Sequence, residues 1–335
     1  MLNDIERVDY YMGANTKRNG TYQVSNELVP KCKEDCKRDD ISLYLNWQEH
    51  LSSRKYDNND YWFTDLTTKE GDLSLWNDDQ YKTRVFPFRW GDSLCSCSEP
   101  TLTKVRWLGQ DKDEENANKC IWKIERPRHW GEMFHGCVAN SMKRVMIPFN
   151  KKIPIVGWRG ASTGGKRFWQ NRGRFVKMHF NNPICDIGIN WITKEQDQNW
   201  SPEDIAFLES KTKPPQSMMQ QLQYKYVVSI EGNDKASDLN WKLASNSVVF
   251  MKPPSVESWL MEGKLQPWIH YVPLADDFSN LNIVYQWAES HPTECLQIIR
   301  NANIWMSQFL DFDREKRIME MVMKRFLDNV NTEIV

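Results

Sequence analysis

Residues 224–273 read YKYVVSIEGNDKASDLNWKLASNSVVFMKPPSVESWLMEGKLQPWIHYVP, and this stretch decides the fold. Residues 226–230, Tyr-Val-Val-Ser-Ile, form a buried-strand run. Glu231-Gly232-Asn233-Asp234 is a turn. Ala236, Leu239 and Leu243 then recur at i, i+3 and i+7, one face of a short helix, with Asn233 or Asp234 where an N-cap belongs. Residues 247–251 form a second strand, stopped by Pro253-Pro254. Strand, turn, helix, strand is the unit of a parallel sheet. The turn after the first strand aims backbone N–H groups past the strand end, where an anion such as a diphosphate is favoured.

Working outward, a second unit of the same kind precedes it. Residues 153–158 (IPIVGW) are a buried strand, Arg159-Gly160-Ala161-Ser162-Thr163-Gly164-Gly165 a Gly-rich turn, residues 167–180 an amphipathic helix and 186–192 another strand. On the far side, helices are expected over 278–290, with Asp276 or Ser279 as cap, and over 292–309. A last helix over 313–330 carries Ile318, Met321, Val322 and Phe326 at helical spacing. The first part of the chain is less regular. Residues 41–47 are a strand or the start of a helix, 84–90 a strand around Pro87 closed by Gly91-Asp92, 102–107 and 120–124 short strands, and 111–118 a charged loop.

A chain of 335 residues is long for one core, and composition shifts at Asn150-Lys151-Lys152. The expected division is 1–150, 151–312 and a closing helix in 313–335. Net charge is −1, which argues against nucleic acid and allows at most peripheral membrane contact. No run approaches the roughly 18 apolar residues of a membrane span. Residues 1–17 are polar and acidic, without the apolar core of a signal peptide. The expectation is a cytoplasmic monomer, or a secretory-lumen protein if a leader has been trimmed. Of eight cysteines, only Cys32/Cys36 and Cys95/Cys97 are close pairs, which is not zinc-ligand spacing. They read as free thiols, with a Cys32–Cys36 disulfide as the alternative on export.

The residues themselves say more. EGND at 231–234, LASNSVVF at 243–250 and ESWLMEGKLQPWIHYVPL at 257–274 resemble glycosyltransferase family 90, and the resemblance runs from about Arg84 to the C-terminus. That family includes protein O-glucosyl- and O-xylosyltransferases, fungal capsule xylosyltransferases and lipopolysaccharide-modifying enzymes of bacteria and viruses; this chain looks most like the last branch. The resemblance implies an α/β fold of GT-B type, two Rossmann-like domains facing across a cleft, with the last helix crossing back to the first. It implies an inverting transfer of a hexose or pentose from a UDP-sugar to a hydroxyl of a glycan, glycolipid or glycoprotein, with the nucleotide sugar as substrate and no cofactor.

Such a transfer needs a base for the acceptor hydroxyl and positive groups for the departing diphosphate. Asp111-Lys112-Asp113 and Asp311-Phe312-Asp313 look like solvated or capping carboxylates, so no metal is expected. By the order of elements in the family, Asp92 is the base, with Glu49 as runner-up. Arg128, His129 and Trp130 match the family's Arg-His-aromatic element; His129 either meets the acceptor or is a structural residue, and Trp130 offers a face to a sugar. Arg159, Gly160, Ser162 and Thr163 match the family's Arg-Gly-Ser/Ala-x-Thr turn, where an arginine fork suits phosphate oxygens. Glu231, Gly232, Asn233, Asp234, Ser245, Asn246 and Ser247 are expected around the donor, and Glu262 or His270 at its sugar or uracil. One departure stands out: the family often places Arg or Lys in the helix after Glu231, where this chain has Asp238 and Asn240, with Lys242 one turn away as a substitute. That departure motivates an alternative, a catalytically inactive nucleotide-sugar or carbohydrate-binding protein. An NAD-type oxidoreductase is disfavoured, because neither Gly turn spells G-x-G-x-x-G.

Overall fold

The structure is a computed structural model that describes residues 1–13, 20–24, 43–46, 85–88, 94, 100–122, 147–193 and 200–334. In chain order the elements used below are α1 (Asp4–Met12), β1 (Gly20–Val24), β2 (Leu43–Asn46), β3 (Val85–Phe88), β4 (Thr101–Thr103), β5 (Arg106–Trp107), β6 (Lys119–Ile121), β7 (Ile153–Ala161), α2 (Arg172–His179), β8 (Cys185–Trp191), α3 (Pro202–Ser210), β9 (Tyr224–Val228), α4 (Leu239–Leu243), β10 (Val248–Met251), β11 (Val256–Glu257), β12 (Val272–Pro273), α5 (Leu281–Ser290), α6 (Pro292–Ser307), α7 (Phe312–Asn329) and β13 (Val330–Ile334). They fall into two compact units. The first takes residues 1–131, 255–261 and 309–335; the second takes 132–254 and 262–308.

The second unit is a mixed α/β layer structure around a five-stranded parallel sheet, order β12-β10-β9-β7-β8. Strands β9 and β10, joined through α4, are the parallel pair the 224–273 pattern predicts. Trp158 and Val156 from β7, Tyr226 and Val228 from β9, and Val248 and Phe250 from β10 point into one core. Phe175 and Val176 of α2, Val284 and Ala288 of α5, and Ile298 and Ile299 of α6 close over it. The Phe175 ring sits edge-on to Trp158 at 6.0 Å. Helix α3 starts with a full capping box: Ser201 Oγ accepts from Asp204 N–H and the Asp204 carboxylate accepts from Ser201 N–H, with Pro202 at its first position.

The first unit contains the four-stranded sheet β2-β3-β4-β6, the pair β5–β11 and the parallel pair β1–β13. Of the stretch 41–47, Leu43–Asn46 are strand β2, antiparallel to β3 with Pro87 opposite Tyr44. Helices α1 and α7 share this unit. Arg7 of α1 holds Glu315 of α7, with Nη2 to Oε2 at 3.0 Å, and also bonds Tyr11 at 2.7 Å. Tyr11 donates in turn to the Trp259 carbonyl at 2.6 Å.

Several local expectations are corrected. Residues 159–161 continue β7 rather than turning, so the Gly-rich turn is confined to 162–165. The helix expected over 167–180 is a 3₁₀ helix, Gly165–Gln170, followed by α2. Neither Asn233 nor Asp234 caps α4, because the helix starts only at Leu239 with Asp238 as N-cap; the Asn233 side chain bonds Gly164 instead. Asn280, not Asp276 or Ser279, stands at the N-cap of α5, its oxygen taken by Ala275 N–H. The 111–118 loop contains a 3₁₀ turn and a one-turn helix, Asp113–Asn116.

Candidate functional site

In a parallel sheet the free backbone N–H groups and loop side chains gather beyond the carboxyl ends of the strands. In the second unit the loops after β7 and β9 meet there. Gly164 N–H donates to Asn233 Oδ1 at 2.7 Å, joining the two loops directly. Gly164 has φ +134 and Gly165 φ +49, left-handed values that glycine supplies without strain. Arg167 in the 3₁₀ helix pairs with Glu231 at 2.6 Å. Arg172, the first residue of α2, bonds Thr163 Oγ1 at 2.5 Å, the Ala161 carbonyl at 3.1 Å and the Ile230 carbonyl at 3.0 Å. A Cβ on Gly232 would lie 2.9 Å from both Arg172 Nη2 and Thr163 Oγ1, so a larger residue would have to push these two side chains aside. Lys252, just past β10, reaches Asn171 Oδ1 at 2.9 Å and the Asp276 carbonyl at 3.2 Å. Burial lowers its ammonium from the usual lysine range, and Asp276 and Glu231 partly restore it. Arg167, Arg172 and Lys252 lie around one glycine turn together with the carboxylates of Glu231 and Asp234.

Of the residues expected from sequence, Thr163, Glu231, Gly232 and Asn233 are brought together here. Asp234 is buried beside them in the same loop. Ser162 is buried one step back, its oxygen accepting from Thr193 N–H at 2.8 Å. Gly160 faces the core, where a Cβ would meet the Trp158 ring at 2.4 Å.

Arg159 is placed elsewhere. Because β7 runs on through Gly160, its side chain lies along the sheet face rather than at the strand end. Its guanidinium donates to Asp186 Oδ1 at 2.7 Å, the Asp186 carbonyl at 2.9 Å, the Trp158 carbonyl at 3.0 Å and the Pro214 carbonyl at 3.3 Å. Burial pushes the Asp186 carboxyl up, but hydrogen bonds from Tyr224, Lys213 and Arg159 outweigh it and hold it well below the usual carboxylate range. Lys242 is likewise committed: fully buried, it pairs with Asp238 and bonds the Val228 carbonyl at 2.6 Å. Asp238 also accepts from Ser229 Oγ at 2.7 Å, so this trio braces the exit of β9 from beneath.

Ser245, Asn246 and Ser247 form the turn entering β10, at the amino end of the strands. Ser247 Oγ donates to the carbonyl of Tyr224, where β9 begins. Glu262 is buried in the turn Glu262–Lys264, and His270 accepts from Gln266 N–H at 2.9 Å in a turn before β12 rather than within a strand. Asp92, Glu49, Arg128, His129 and Trp130 lie outside the described residues, as do the close pairs Cys32/Cys36 and Cys95/Cys97. Among the described residues no three His, Cys, Asp or Glu side chains gather at metal-ligand spacing, and no helix is long and apolar enough to cross a membrane.

Arg167, Arg172 and Lys252 lie outside the motifs that carry the family resemblance. The signal was present: the glycine turn is followed by Lys-Arg and, five residues on, by another arginine, and β10 is followed by Lys252. Cations just past strand ends that carry an anion-binding turn are phosphate candidates.

Known proteins resemble this chain over much of its length. The chain is 32% identical over 241 residues to the O-glucosyltransferase LpsA of Dichelobacter nodosus, covering 72% of this chain and 66% of that one. It is 38% identical over 155 residues to Protein O-glucosyltransferase 2 of Danio rerio, 45% of this chain and 28% of that one. It is 24% identical over 275 residues to the uncharacterized protein 179R of Invertebrate iridescent virus 6, 75% of this chain and 22% of the viral one. The chain therefore spans at most about two thirds of these relatives. The model of glycosyl transferase family 90 matches residues 128–333, a stretch that holds the glycine turn, the Glu231 loop and all five strands of the parallel sheet, and the chain belongs to that family.

Proposed function

We propose that this chain is an inverting glycosyltransferase of GT-B type that moves a hexose or pentose from a UDP-sugar to a hydroxyl of a glycan, glycolipid or glycoprotein. The observation that carries the reading is the meeting of the β7 and β9 loops. Three cations, Arg167, Arg172 and Lys252, surround a glycine turn at the carboxyl ends of parallel strands. A diphosphate suits that setting, because charge-assisted bonds from guanidinium groups and backbone N–H groups stabilise it as it leaves. In this reading the cations take the role a metal ion plays in other transferases. Arg159 and Lys242 serve as positioning residues, holding β7 and the exit of β9 in place.

The reaction is a single displacement. Asp92 takes the proton of the acceptor hydroxyl, the acceptor oxygen bonds to the anomeric carbon, and the bond from that carbon to the diphosphate oxygen breaks. The electron pair leaves with UDP, and the anomeric configuration inverts. Arg128, His129 and Trp130 are assigned to the acceptor through the family resemblance.

Asp92→Asn should lower transfer on the order of 10²–10⁴-fold, the usual loss of a general base, while UDP affinity stays within a few-fold. Normal turnover by that variant would move the base elsewhere. UDP should raise the melting temperature of the wild type and raise it less in Arg172→Ala. The competing reading is an inactive nucleotide-sugar binder, favoured by the commitment of Arg159 to Asp186 and Lys242 to Asp238. Binding of UDP-sugar with no release of UDP, with or without acceptor, would select it.

A further inference from the structure

The second unit has a hollow of about 680 Å³ between the outer face of α2 and the amino-terminal half of α3. Its lining shares no residue with the cradle. The hollow nevertheless opens from the same 3₁₀ helix: Arg167 turns to Glu231, and Trp169, two residues on, turns to the hollow. Trp169, Phe207 and Met178 supply the apolar surface, the two rings 5.6 Å apart at 56°. Trp169 is itself held edge-on by Phe168 at 5.0 Å and Trp200 at 5.8 Å, so its orientation is set by packing.

The rim carries opposite charges on opposite walls. Arg174 and Lys177 come from α2; Glu203 and Asp204 come from the first turn of α3. Asp204 is partly spent on Ser201 N–H. Arg174, Lys177 and Glu203 are in no ion pair among the described residues. The hollow thus offers an aromatic surface, donors on one side and acceptors on the other, in a volume within the ~300–1,000 Å³ range of small-molecule sites.

A phosphate would meet Glu203 and Asp204 as like charges. A cation would meet Arg174 and Lys177. A purely apolar ligand would cover part of this charged rim without replacing the hydrogen bonds of the water it displaces, which costs free energy. A pyranose satisfies the set: its hydroxyls both donate and accept, and its C–H face packs on an aromatic ring. We infer that this hollow is a glycan subsite that holds a neutral sugar residue of the acceptor chain beside the donor cradle. The placement as an acceptor subsite rests on the glycosyltransferase reading; the binding of a sugar does not.

The test is direct binding to the full chain. Methyl glycosides of glucose, galactose, xylose and N-acetylglucosamine are titrated singly and followed by saturation-transfer NMR. Glucose 6-phosphate is the charged comparison, and UDP-induced thermal shift reports on the cradle. At least one neutral glycoside should bind in the millimolar range. The double variant Lys177→Ala/Glu203→Ala, on exposed positions, should weaken it about tenfold, the loss expected of a hydrogen bond to a charged group. Its UDP shift should be that of the wild type. Absence of neutral-glycoside binding, binding unaltered in the double variant, or binding of the phosphate ester alone would each overturn the subsite. Failure of UDP to shift the wild type would sink the donor reading instead and leave the glycoside result standing.

Discussion

In the second unit, the strand pairs β7–β8 and β9–β10 are each close in sequence, and apolar surface marks the joins. β9 and β10 are separated by one short helix, and their valines and aromatics share a core with α2, α5 and α6. In the first unit, the segments that meet are remote and charge marks the joins. Arg7 and Glu315 lie 308 residues apart, and Arg314–Asp4, Arg325–Asp9 and Arg106–Glu257 repeat the pattern. Periodicity in a sequence reports burial within a segment. It carries no label saying which distant arginine meets which distant carboxylate.

The sharpest way to break the comparison is at Arg7. Its side chain is 0% exposed and Glu315's is 3%. Arg7→Ala leaves a carboxylate buried without its partner, which costs about 3–5 kcal/mol. Thermal unfolding should fall accordingly, and amide protection should drop first in α1 and α7. Arg7→Met with Glu315→Leu should recover most of the loss, since an apolar pair of similar volume often replaces a buried ion pair. A double variant no better than the single would show that the pair is needed for more than neutralisation.

The second unit should break by overpacking. A Cβ on Gly157 of β7 would fall 2.1 Å from the Tyr224 ring, well inside contact distance. Gly157→Ala should destabilise by about 1–3 kcal/mol, read by denaturant unfolding. Because Tyr224 also donates to Asp186, the displaced ring should weaken that bond too.

These two units also explain what was readable beforehand. The strand–turn–helix–strand of 224–273 was legible because each element carries its own period. Thr163, Glu231, Gly232 and Asn233 are named by the family's turn and loop motifs, and the structure brings these four together. The resemblance of residues 159–163 to the family's turn points Arg159 at a phosphate, but β7 continues to Ala161 and carries its side chain to Asp186. Gly160 looked like a turn residue, but it is a glycine that makes room for the Trp158 ring inside a strand that continues. Arg172 was passed over because a basic residue at a helix start reads as a surface charge until the opposite loop is known. Which carbonyls surround an arginine is a tertiary fact, and Ile230 stands 58 residues from Arg172.

A milder probe of the second unit is acid. Asp186 has a depressed pKa in the folded state, through Tyr224, Lys213 and Arg159 acting against its burial. Such a group stabilises the fold fully above its unfolded pKa of about 3.9, and the contribution is lost as pH falls below that towards the folded value. Stability of the wild type should therefore decline through this range. Asp186→Asn should be less stable than wild type at neutral pH, with a shallower decline below about pH 4. Equal slopes would mean that other carboxylates carry the acid sensitivity.

The smallest effect should come from a charge pair of the first unit that lies at the surface. Arg325 and Asp9 also join α7 to α1, but their side chains are 32% and 54% exposed. Water already solvates both groups in the unfolded chain, and holding two long side chains together costs entropy, so such a pair contributes between nothing measurable and about 1 kcal/mol. Arg325→Ala should shift the midpoint of unfolding little, and less still at high salt, where exposed charges are screened. Arg7 and Arg325 lie on the same seam between α1 and α7, so the ratio of their effects isolates burial from position. Should Arg325→Ala cost as much as Arg7→Ala, the seam would depend on charge itself rather than on the removal of charge from water.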